Sequence, residues 1–161
     1  MTFSTRTVVA AFRTHLQGCG LFDDVTGHEP KNPPTGAGVT AAVWVESLVP
    51  TEAFTSLNAT SVVVTFTVRL YRNMLGEPQD DIDPQIMEAA DKVCELVSGD
   101  FTLGDAVDFV DLLGQAAGGG RAAGGRGMSV DFGYLNLGGT MFRVADITVP
   151  VVVGDHWAQA R

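Results

Sequence analysis

The chain has 161 residues, 45% of them apolar and 18% charged, which is one domain's worth of protein with enough apolar mass for a core. Nineteen acidic against ten basic side chains leave a net charge of −9, which argues against a surface built to grip phosphates. No stretch approaches the roughly 18 consecutive apolar residues of a membrane span, and the start, Met1-Thr2-Phe3-Ser4-Thr5-Arg6, lacks the pattern of a signal peptide.

The first element reads as a helix. Ser4, Thr5 or Thr7 can cap it, because a hydroxyl there accepts from a free N–H of the first turn. Val8, Ala11, Phe12, His15 and Leu16 recur at three- and four-residue steps and make one stripe, and Gly18 and Gly20 supply the stop. A short strand is expected around residues 22–29. Residues 30–38, with three prolines and two glycines, are expected to be a mobile loop. Residues 39–49 are rich in β-branched and aromatic side chains and read as a strand ending at Pro50. A polar connector follows at 51–59. Residues 61–71 alternate strictly: Val62, Val64, Phe66, Val68 and Leu70 face one way, and Val63, Thr65, Thr67, Arg69 and Tyr71 the other.

Residues 73–83 read as a loop. A second helix then starts with Asp83 at the cap and Pro84 at the first helical position, where a missing N–H costs nothing. Its expected buried stripe is Ile86, Ala90, Val93, Cys94 and Val97, its wet face Glu88, Asp91, Lys92 and Glu95, and its end Gly99. Short strands are expected around 107–113. Residues 114–127 hold seven glycines in fourteen residues and read as a flexible excursion. Two strands, 128–137 and 140–153, flank Gly138-Gly139, a good hairpin turn. The tail, 154–161, is unpatterned. The order predicts a single α+β domain over 1–161, with two helices packed on one face of a mainly antiparallel β-sheet and long loops.

Residues 77–111 hold eleven acids against one base, Lys92, so that segment is −10 by itself and the rest of the chain +1. It can be one acidic face or simply a solvated helix with its flanking loops. The run Asp80-Asp81-Ile82-Asp83 lacks the glycine and distal glutamate of a calcium loop, and no metal is expected there. No Lys-Ser or Lys-Thr follows the glycine-rich run, and a strand follows it where a phosphate loop would open a helix. His15, His28 and His156 show no ligand spacing, and no nucleophile–base pair is visible. Cys19 and Cys94, the only cysteines, are too few for a disulfide framework or a zinc site and read as reduced core thiols of a cytosolic protein. No catalytic residue, cofactor or metal ligand is assigned.

Four stretches carry a resemblance: the N-terminal VVAAFRTHL; a long block containing VRLYRNMLGEPQDDIDP; SGDFTLGDAVDFVDLLG; and the closing GYLNLGGTMFRVADITVPVVV. Together the chain resembles the tail terminator family of long-tailed bacteriophages, in the form carried by phages of actinobacterial hosts. The resemblance implies a structural virion protein and not an enzyme. It implies a homohexameric ring at the head-proximal end of the tail tube, which ends tube polymerisation and presents the head-joining surface. The implied partners are further copies of the chain, the tube protein and the head-side connector or stopper. DNA passes through the lumen without specific binding, and no membrane is involved. The alternatives are another connector component, such as a stopper or adaptor, and a small enzyme of unknown type. On the terminator reading, Arg121 and Arg126 are candidate partner-interface residues, and Glu77, Asp80 and Asp81 candidate channel-lining residues.

Overall fold

The computed structural model describes residues 4–34, 38–51, 59–75, 79–100, 102–114 and 127–158. Helix α1 spans Thr5–Gly18, and the Ser4 hydroxyl accepts from the Thr7 N–H at 3.2 Å. Strands β1 (Val25–Thr26), β2 (Thr40–Thr51) and β3 (Ala59–Asn73) follow. A 3₁₀ turn at Gln79–Asp81 runs straight into helix α2, Ile82–Gly99. Strands β4 (Phe109–Val110), β5 (Ser129–Leu137) and β6 (Thr140–Ala158) complete the order. The sheet runs β1-β2-β3-β6-β4, with β5 also on β6, and only the β1–β2 pair is parallel. The architecture is the α+β fold expected from the periodicities.

Both helices cover one face. The alternate residues Val62, Val64, Phe66, Val68 and Leu70 of β3 enter one apolar cluster with Val8, Phe12 and Leu16 of α1 and Ile86, Val93 and Val97 of α2. Phe12 stacks on Phe66 with ring centres 5.3 Å apart. A fully buried side chain of this size contributes about 1.5–3 kcal/mol through removal from water, so the two stripes, not the short helices' own propensity, hold the helices in place.

The opposite face carries a smaller cluster of Ala42, Tyr71, Phe142 and Val144. Tyr71 and Phe142 meet edge to face at 5.9 Å, and each is 1% exposed although no helix lies over them. Trp44, Leu135 and Leu137 pack against this cluster, and the proline-rich segment spans the same face. It leaves β1, where Glu29 Oε1 lies 3.4 Å from Arg69 Nη1, and reaches the β5–β6 turn, where a Cβ on Gly138 would lie 2.9 Å from Pro33 Cγ. Tyr71 and Phe142 lie between those two contacts. Residues 30–34 are irregular, as expected of them, and they cross the sheet as a strap; 35–37 lie outside the described residues.

Several boundaries differ from the sequence reading. β2 continues through Pro50, which is paired with Val62. Only Ala41 and Ala42 of β2 meet β1, so Pro50 sits on a stretch of edge where a missing N–H breaks no ladder bond. β6 continues to Ala158, with Thr60 opposite Trp157, where an unpatterned tail was expected; Gly154 interrupts the alternation because its N–H donates to the Asp108 carboxylate and a side chain there would collide with it. Helix α2 begins before Pro84. Asp81 holds the N-cap position without a side-chain cap bond, and Asp83 lies inside the first turn, paired with Arg143 at 2.9 Å. The continuous 3₁₀ turn removes the need for a side-chain cap, and Pro84 still falls among the first four residues, whose N–H groups have no intrahelical partner. Cys19 and Cys94 are free and half-buried; Cys94 packs against the main cluster, as its place in the α2 stripe implies, and Cys19 does not enter it.

Candidate assembly surface

The two-residue turn between β5 and β6 has both glycines at positive φ, 59° and 83°. This is the conformation that matches the twist of a tight hairpin. It closes on the pair Leu137–Thr140 and sets the register down to Ser129–Thr148. In such a hairpin the closing pair exchanges both backbone bonds, and every second residue does so thereafter. Leu137, Leu135, Gly133, Asp131 and Ser129 therefore point their backbone groups at β6. The N–H and C=O groups of Val130, Phe132, Tyr134 and Asn136 point away from the sheet, and no strand of the described residues pairs with them.

Among the described residues this edge, nine residues long, is open; such an edge is an invitation to pair, and folded proteins blunt it with proline, charged side chains, a bulge or a covering segment. β5 carries no proline, lysine or bulge. It also presents two large rings: Phe132 is 46% and Tyr134 62% exposed. Both face the helix side, opposite Ala145 and Arg143, but β5 lies beyond the shelter of α2.

Arg143 fixes this corner. Its guanidinium lies 4.6 Å from the centre of the Tyr134 ring and 5.9 Å from that of Phe132. Nη1 donates to Gly133 O at 3.1 Å, and Nε to Asp83 Oδ1 at 2.9 Å. One side chain so ties β6, β5 and the first turn of α2, and the fork geometry of arginine allows all four contacts at once. Asp80 is brought to the same corner: with Met74, Ile82, Asp83 and Tyr134 it lines a shallow cleft of about 380 Å³.

Of the residues singled out in the sequence, Asp80 and Asp81 are exposed in the 3₁₀ turn ahead of α2. Glu77, Arg121 and Arg126 lie outside the described residues. The neck of the glycine-rich run is described: Met128 N donates to Leu112 O at 3.0 Å, and Gly114 N to Asp111 O at 3.3 Å. The acids of 77–111 do not form one face. Glu88, Asp91 and Glu95 rim a groove of about 600 Å³ between α2 and residues 21–39, while Asp83 pairs with Arg143, Asp100 accepts from Thr102 N and Gly104 N, and Asp108 holds Gly154. The aromatic–guanidinium corner was missed in the sequence. Its only signal was that Phe132 and Tyr134 share the parity of one strand face.

The face away from the helices carries charged side chains held in contacts between strands. Arg69 grips Asp146 through Nε at 2.5 Å and Nη2 at 3.2 Å and lies 5.2 Å from the Trp44 ring centre. The bond to Asp146 pushes the Arg69 pKa above its ordinary value, and burial raises that of the Tyr71 phenol. Glu46, at the β2 bulge, accepts from Trp44 Nε1 and Thr67 Oγ1. These contacts cross-link β2, β3 and β6. His156 is 4% exposed, with Nε2 3.3 Å from Thr5 Oγ1 at the start of α1, and burial lowers its pKa. His15 lies 3.7 Å from the Asp100 carboxylate. Among the described residues no group of three or more side chains could hold a metal ion, and no helix is long and apolar enough to cross a membrane.

No model of a known protein family matches this chain, and comparison with curated proteins finds no match.

Proposed function

We propose that the chain is a ring-forming structural protein of a long-tailed phage, the terminator at the head-proximal end of the tail tube. The resemblance over the four stretches quoted above motivates this reading. The observation that carries it is the β5 edge, open among the described residues, with Phe132 and Tyr134 half-exposed beside it, since an edge of that kind is a standing aggregation hazard unless a neighbour occupies it. An assembly protein has such a neighbour. In this reading its role is structural and not catalytic. Its partners are further copies of itself, the tube protein below and the head-side connector above, and DNA passes through the ring without specific contact.

Negative-stain imaging of the purified protein, alone and with tail tubes, tests the reading. Closed six-fold rings, seated at one end of each tube, are expected. A monomer at every concentration, with no ring on assembled tails, overturns it. Rings that bind heads but never tubes identify a connector component instead.

A further inference from the structure

We propose that β5 of one copy pairs antiparallel with the distal half of β2 in the next copy; this rests on the ring reading and names the contact that closes it. The sheet has two open edges among the described residues, one long and one short. One is β5. The other is the stretch of β2 between the bulge at Glu46 and Pro50, because β1 pairs only with Ala41 and Ala42. The two edges lie at opposite margins of one sheet, so a contact between them is head-to-tail and repeats from copy to copy until it closes.

Strand direction supports this pairing. β2 and β6 run one way, and β3 and β5 the other. When successive copies keep the same strand sense around a ring, β5 meets the neighbour's β2 antiparallel, the geometry with the better-aligned hydrogen bonds. Side chains agree as well. Leu48 is 39% exposed and shares the helix-side face with its partner Val64, the same side on which Phe132 and Tyr134 stand. Pairing the two edges lays Leu48 against those rings and covers apolar surface from both copies. Pro50 and the bulge at Glu46 bound the usable part of β2 and limit how far the strands can slide past one another.

Two variants test the contact. Tyr134→Pro removes an outward N–H without taking a bond from β6, and Leu48→Asp places a charge on the face to be buried. Circular dichroism establishes that each keeps its sheet; Tyr134→Lys replaces the proline variant should that one unfold. Assembly is read by sedimentation velocity in solution and by imaging on tail tubes. Wild type is expected to form rings, and each variant to lose every species above monomer. An equimolar mixture of the two variants is expected to give one-to-one dimers and nothing larger, because the mixed pair has one intact β5 against one intact β2 and no further live edge. Rings formed by either variant alone, or restored in the mixture, overturn the edge pairing and leave the ring reading standing. Failure of wild type to form rings under both conditions overturns the ring reading itself.

Discussion

His156 shows how a single side chain can make stability depend on pH. It is buried at the far end of β6, against Thr5 of α1 and beside the Trp157 ring, and burial disfavours its charged form. The folded pKa is therefore below the ordinary value of 6.5. The unfolded chain takes up a proton first as pH falls, so the contribution is intact above that ordinary value and is lost as pH drops through the lower folded one. Urea midpoints compared at about pH 7.5 and about pH 5 should fall more for wild type than for His156→Asn, which cannot titrate in this range. Equal pH dependence in the two proteins removes His156 as the source. The position itself was not legible in sequence as buried, because 154–158 shows no alternation. The Ser4 cap and the Phe12 stripe were legible, since a cap and a helical period need only neighbours in sequence.

At the scale of elements, the corner where α2, β5 and β6 meet depends on Arg143. Its side chain is 18% exposed, while its partner Asp83 is 59% exposed. An ion pair to so wet a carboxylate contributes little. The bond to Gly133 O and the two rings carry the remainder, and these need the planar fork. Arg143→Lys keeps the charge and loses that geometry. It is expected to lower stability by about 1–2 kcal/mol in urea unfolding and to raise amide exchange in β5 more than in β3. A lysine variant indistinguishable from wild type would assign the corner to strand pairing alone. The helix periodicities, the long β3 alternation and the Gly138-Gly139 hairpin were all readable beforehand. The proline-rich segment was readable as irregular but not as a strap, because its contacts, with Arg69 and Gly138, are distant in sequence.

For the whole molecule, the reading as a terminator ring places one demand on charge. DNA must slide through the lumen, and each lysine or arginine contact to phosphate adds affinity through counterion release. Asp80 and Asp81 are exposed ahead of α2 and are the described members of the proposed lining; Glu88, Asp91 and Glu95 rim a groove on the helix side of the molecule. The double change Asp80→Lys with Asp81→Lys is expected to leave tail length normal and to slow DNA ejection, most clearly at low salt. Unchanged ejection with failed head joining would move this turn to the connector interface. By itself the sequence determined the fold class, both helix faces, the central strand and the hairpin, because each follows from a period or a turn chemistry written over consecutive residues. Only the tertiary structure decided that the acids divide between structural bonds and solvent, that Pro50 and residues 154–158 belong to strands, and that β5 has no strand beside it among the described residues and carries two rings there. Those outcomes depend on which strands become neighbours, and one strand's own residues do not say what lies across its edge.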